Sequence, residues 1–190
     1  KIVGNSEFMK AGFDAQLKSI VMLKNQNKTL PITTKKKVYV PQRYVAPSTN
    51  WWGITTPEKT VDAFNMAVVA KYFEVVTTPE DADFALVGIY SPNGGVGYDY
   101  ADFENGSNGY VPISLQYDTY TADTAREISL AGGSPLEDFK NRTYKGKTVK
   151  TINTTDMNLV NDTKAKMGNK PVIVSIKVGK PMIFSEIEGS

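Results

Sequence analysis

The chain contains no cysteine and no histidine. The first absence removes disulfides, thiolate nucleophiles and thiolate metal sites. The second removes the usual general base near neutral pH and the commonest metal ligand. Any chemistry must therefore rest on carboxylates, hydroxyls, amides or lysine, and neither a metal nor an organic cofactor is expected. No apolar run approaches the ~20 residues that a membrane-spanning helix needs, so no membrane partner is expected. Excess charge of one sign is lacking too: 22 Lys and Arg face 20 Asp and Glu, a formal net charge of +2. The single basic run, Lys35-Lys36-Lys37, is short and leads straight into an apolar strand. That placement fits a solvated strand end and argues against a nucleic-acid interface.

What is present is ordinary for a globular protein: 41% hydrophobic and 22% charged residues in a chain of 190. A chain of that length can bury roughly 70% of its unfolded surface in one core. The expectation is one domain spanning residues 1–190. Because the sequence starts at Lys1 without a methionine or an apolar leader and stops at Ser190 soon after a predicted strand, it reads as a piece of a longer protein.

The hydrophobic spacing predicts alternating helices and buried strands. Phe13, Leu17, Ile20, Val21 and Leu23 fall near the i, i+3, i+4, i+7 positions of one helical face, which predicts an amphipathic helix over 15–25 with that face in a core. Residues 25–28 are polar and turn-like, Pro31 blocks helix continuation, and Val38-Tyr39-Val40 reads as a first buried strand. Residues 41–57, rich in Pro, Ser, Thr and aromatics, predict a long surface loop. Val61, Phe64, Ala67, Val68 and Tyr72 predict a helix over 58–73. Short strands are expected at 74–76 and 182–185, a central parallel strand at 84–90, and a further strand at 172–176 fed by the helix before it. Residues 91–155 carry no sustained period and read as an excursion. Met157, Val160 and Met167 mark a helix over 156–167, with Thr154 or Thr155 as its cap and Gly168 past its end. Together these give an α/β fold with a mainly parallel sheet flanked by helices.

Two separated motifs resemble one family. Ser19-Ile20-Val21-Met22-Leu23-Lys24-Asn25, followed by Leu30-Pro31-Ile32 and Lys37-Val38-Tyr39-Val40, is similar to the opening of the C-terminal domain of glycoside hydrolase family 3, the family of β-glucosidases, β-xylosidases and β-N-acetylglucosaminidases. Lys170-Pro171-Val172-Ile173-Val174, with Gly179-Lys180-Pro181 beyond it, resembles a second strand-and-linker motif of the same domain. The resemblance implies a three-layer α/β/α sandwich, a catalytic barrel preceding residue 1 in the same parent chain, and β-glucosidase-like hydrolysis of terminal β-linked sugars by the whole parent. A secreted or periplasmic location follows from the family's habits alone. By itself the chain is expected to be inactive.

In an open parallel sheet, ligands meet the loops at the carboxyl ends of the strands, so the segment after Tyr90 is the default site. It reads Ser91-Pro92-Asn93-Gly94-Gly95-Val96-Gly97-Tyr98-Asp99-Tyr100. Many family members carry Gly-Glu-Gly-Tyr-Asp-Arg there, and in several its Glu is the acid/base. Here Val96 stands at the Glu position and Tyr100 at the Arg position, and valine cannot donate a proton. A retaining glycosidase needs two carboxyl groups about 5–5.5 Å apart. The resemblance places the nucleophile in the barrel and leaves Glu104, Asp102 and Asp99 as candidate acid/bases. Glu104 leads the three, and for each taken singly a solvated loop carboxylate is the favoured role. Flat rings cover the C–H faces of sugars, which makes Tyr98, Trp51 and Trp52 candidate substrate contacts, with anchoring of a long loop as the competing role for the tryptophans. The glycines do not follow either phosphate-loop spacing, which disfavours a nucleotide site. The alternative to catalysis is a carbohydrate-binding or structural domain that has lost its acid/base.

Overall fold

The computed structural model describes residues 3–50, 52–128 and 142–188. The chain divides into two compact units, Lys1–Thr34 and Lys35–Ser190.

In the first unit, helix α1 spans Ser6–Lys18, earlier in the sequence than the periodicity predicts. Asn5 caps it, its Oδ1 accepting the Phe8 N–H at 2.9 Å. The helix stops at Ser19, whose hydroxyl donates to the Gln16 carbonyl at 2.7 Å, and the β-branched pair Ile20-Val21 follows without helical structure. The stripe expected to enter a core does not: no residue of α1 is buried, and Phe13 is 59% exposed. A unit of about this length has too little surface to enclose a core of its own. The polar turn is present as a 3-10 segment, Gln26–Lys28, closed by the Asn25 carboxamide, which bonds the Leu30 N–H and carbonyl at 3.0 and 2.9 Å.

The second unit runs β1 (Lys37–Tyr39), β2 (Arg43–Val45), β3 (Ser48–Thr49), β4 (Thr55–Thr56), β5 (Lys59–Val61), α2 (Met66–Tyr72), β6 (Glu74–Val76) and β7 (Phe84–Tyr90). It continues through β8 (Val96–Tyr98), α3 (Tyr100–Glu104), β9 (Tyr110–Ile113), β10 (Tyr120–Thr121), β11 (Thr148–Val149), α4 (Thr154–Met167), β12 (Val172–Lys177) and α5 (Ser185–Glu188). A four-stranded sheet of order β12-β7-β1-β6 has every pair parallel. This is the α/β class with a parallel sheet that the alternating pattern predicts.

The core explains that sheet. On β7, Ala85, Val87 and Ile89 lie on one face and are at most 1% exposed. Val160 and Met167 of α4 are buried beside them, and Tyr117 completes the cluster. Full burial of a Val, Ile or Met side chain such as these contributes about 1.5–3 kcal/mol. On the other face, Phe84 meets Phe73 edge-on at 5.1 Å between ring centroids. Gly88 admits Ala63 and Phe64 so closely that a Cβ there would fall 2.4 Å from Ala63 Cβ.

Three sequence expectations are corrected. The helix predicted from 58 starts at Met66, because Thr60-Val61 pairs instead with β2, and Asn65 caps the shortened helix through the Ala67 N–H at 3.1 Å. The surface loop over 41–57 contains strands β2, β3 and β4: β3 pairs antiparallel with β4, and β2 with β5 just beyond the segment. The strand predicted at 182–185 is absent: Ile183 donates to the Leu115 carbonyl at 2.8 Å, and the Glu186 carboxylate accepts the N–H groups of Tyr117 and Asp118 at 2.7 and 2.8 Å, fixing a helical turn there. Among the described residues no helix is long and apolar enough to cross a membrane.

Candidate functional site

The chain leaves β1 toward β6 on one side and leaves β7 toward β12 on the other, so β1 and β7 flank a topological switch point. The crevice outside the carboxyl ends of such strands is where open α/β sheets bind ligands. The segment following β7 forms a structured wall of its own. β8 and β9 pair antiparallel, with an irregularity between Val96 and Tyr98. Gly95 and Ser114 close the base of this pair: the Gly95 N–H donates to Ser114 Oγ at 2.9 Å, and the Ser114 N–H returns to the Gly95 carbonyl at 3.0 Å. The Tyr98 ring stands edge-on to the buried Tyr110 ring at 5.7 Å.

This wall borders an open groove of about 440 Å³. It is lined by Gly94, Gly95, Tyr98 and Asp99, by Val111, and by Thr148, Val149, Lys150 and Ile152. The groove therefore offers an aromatic ring, one carboxylate, one ammonium and backbone amides, a mixture suited to a neutral polyhydroxylated ligand with an apolar face.

The candidate carboxylates have different surroundings. Asp99 lines the groove and caps α3, its Oδ1 accepting the Ala101 N–H at 2.9 Å. Asp102 is paired with Lys147 and accepts the Gly109 N–H at 2.9 Å. Lys147 also donates to the Asn108 side-chain oxygen at 2.5 Å, and the Asn108 amide donates to the Thr143 carbonyl at 2.6 Å. Desolvation pushes the Asp102 pKa upward, but the Lys147 ammonium and the Gly109 and Ser107 hydrogen bonds outweigh it and hold the carboxyl below its ordinary value. Asp102 thus fastens the α3 excursion to the segment before β11. Glu104, at the end of α3, is exposed and does not border the groove.

The candidate aromatics also separate. Tyr98 borders the groove. Trp52 is 79% exposed between β3 and β4, where Asn50 Oδ1 accepts the N–H groups of Trp52 and Ile54 at 3.0 and 2.9 Å. Trp51 lies outside the described residues. Sequence reasoning missed Thr148, Val149, Lys150 and Ile152, because a short, irregular segment has no periodic signal. Comparison of the chain with protein-family models, with curated proteins and with solved structures gives no match.

Proposed function

We propose that this chain is the C-terminal α/β sandwich domain of a family 3 β-glycosidase, and that its groove forms one wall of a site for terminal β-linked sugars. The observation that carries this reading is the conjunction of the Gly95-Val96-Gly97-Tyr98-Asp99 segment with a groove on the excursion that follows β7, lined by Tyr98 and Asp99. In this reading the sheet belongs to a three-layer α/β/α arrangement, and a barrel domain of the same parent chain supplies the nucleophile. The substrate is a β-linked oligosaccharide or glycoside. The parent works in a secreted or periplasmic setting.

The chemistry is that of a retaining glycosidase. The barrel carboxylate attacks the anomeric carbon and forms a covalent glycosyl ester while a carboxylic acid on this wall protonates the departing oxygen; the resulting carboxylate then takes a proton from the water that attacks the anomeric carbon and displaces the barrel carboxylate. Asp99 stands at the groove. Glu104 and Asp102 would have to reach it by movement of α3, and Asp102 would have to leave Lys147. Tyr98 would cover the apolar face of the sugar ring. A second reading, carbohydrate binding without hydrolysis, is favoured by Val96 at the acid position and by the pairing of Asp102 with Lys147.

The test is a titration of the chain with p-nitrophenyl β-D-glucoside and its xyloside and N-acetylglucosaminide counterparts, following backbone amide signals. Saturable shifts at Gly94, Gly95, Tyr98 and Asp99, without release of nitrophenol, are expected. Shifts confined to residues away from the groove, or none with any sugar, would overturn the reading.

A further inference from the structure

A buried polar cluster lies next to the groove loop and draws on distant parts of the sequence. Asp156, in the first turn of α4, is 1% exposed, and Arg43, the first residue of β2, is 7% exposed. The guanidinium donates to both carboxylate oxygens, Nε to Oδ1 at 2.6 Å and Nη2 to Oδ2 at 2.9 Å. Arg43 also lies over the Tyr90 ring, 4.2 Å from its centroid. Asp156 Oδ2 further accepts the Asn153 carboxamide at 2.8 Å and the Tyr90 backbone N–H at 3.3 Å. The same carboxamide donates to the Ser91 carbonyl at 3.2 Å and accepts the Asn93 N–H at 2.7 Å.

Two features say what this cluster is for. An asparagine in the cap position of a helix ordinarily accepts an N–H of the first turn, yet Asn153 makes no such bond with α4. Its carboxamide is directed to the loop instead. A buried ion pair rarely adds net stability over well-packed apolar side chains, because both charges lose their hydration. Here the pair orients a group that reads the backbone of Tyr90, Ser91 and Asn93, the residues immediately before the groove wall begins at Gly94.

We propose that Arg43, Asp156 and Asn153 are positioning residues for the groove: Arg43 fixes the Asp156 carboxylate, Asp156 fixes the Asn153 carboxamide, and Asn153 sets the path of the chain from β7 into the wall. What the groove holds rests on the sugar-site reading; the positioning itself does not. The three residues touch no ligand and act through the loop.

The experiment compares wild type with Asn153→Ala, which leaves the Arg43–Asp156 pair in place, and with Asp156→Asn. Amide hydrogen exchange is followed residue by residue, with the melting temperature and the p-nitrophenyl β-D-glucoside titration alongside. In wild type, the Asn93 amide should exchange slowly despite its place in an exposed loop. In Asn153→Ala it should exchange about tenfold faster, as expected for one lost hydrogen bond, with shifts reaching Gly94, Gly95 and Tyr98 while β1 and β12 keep their protection. A fast-exchanging Asn93 amide in wild type would overturn the proposal even if both variants failed to fold. So would unchanged loop amides in a folded Asn153→Ala. If the loop amides respond but no sugar shifts the groove of wild type, the positioning stands and the sugar reading fails.

Discussion

Adding a single methyl group at Gly95 should damage the groove wall. An alanine Cβ at this position would lie 1.9 Å from the Pro112 carbonyl oxygen and 2.6 Å from Val149 Cγ2. Neither neighbour can yield easily, since Pro112 lies in β9 and is fully buried and Val149 lies in β11 with 8% exposure. Relief requires β8 and β9 to separate, which also strains both hydrogen bonds between Gly95 and Ser114. Overpacking of this kind costs about 1–3 kcal/mol, and contact with backbone rather than a flexible side chain points to the upper end. For a chain of this size, ~3 kcal/mol corresponds to a fall of about 6–12 °C in melting temperature. Urea denaturation followed by circular dichroism reads the cost directly. Gly12→Ala is the control, because the same methyl meets nothing within 4 Å in α1 and should not lower the midpoint. A Gly95→Ala variant within ~0.5 kcal/mol of wild type would refute the description of this wall as closely packed.

The Asp102–Lys147 pair is partly exposed, so Lys147→Ala should cost no more than about 1 kcal/mol. Because the folded-state pKa of Asp102 lies below its ordinary value, the contribution is present above the unfolded pKa and disappears as pH falls through the lower folded value. Wild type and Lys147→Ala should therefore converge in acid-denaturation curves at low pH; a difference that widens on acidification would contradict the pairing. Lys180 presents the opposite case, since its buried Nζ has no acceptor among the described residues and desolvation lowers its pKa. Lys180→Met should raise the melting temperature at pH 7, with the advantage narrowing as pH rises toward the ordinary lysine value and wild type sheds its proton. A destabilised Lys180→Met would mean that the ammonium has a partner.

The sheet was legible because a central parallel strand buried on both faces leaves an unbroken apolar run, as Phe84–Tyr90 does, while the edge strand Val172–Ile176 keeps an apolar run broken only by the exposed Ser175. Helix α4 was legible through its spacing and Gly168, which adopts φ 60° just past its end. The failures share a cause: local pattern was overridden by a distant partner. Thr60-Val61 fits a helix until β2 is available to pair with it, and Met182–Ser185 fits a strand until Glu186 reaches the amides of Tyr117 and Asp118. At the site, the loop after β7, Tyr98 and Asp99 could be read from topology and motif. The partner of Asp102 could not, since Lys147 lies far along an aperiodic stretch. Arg43, Asn153 and Asp156 gave no motif at all: they meet across 113 residues of separation between Arg43 and Asp156.

In the proposed reading, this groove faces a sugar at which glycosidic bonds are broken. The most direct test is turnover of p-nitrophenyl β-glycosides by the parent protein proposed to carry this chain, beside Asp99→Asn, Asp102→Asn, Glu104→Gln and Tyr98→Ala. The account predicts turnover of at least one β-glycoside, a collapse of about 10²–10⁴-fold in one of the three carboxylate variants, and weakened substrate binding in Tyr98→Ala. Full activity in all four variants would contradict it.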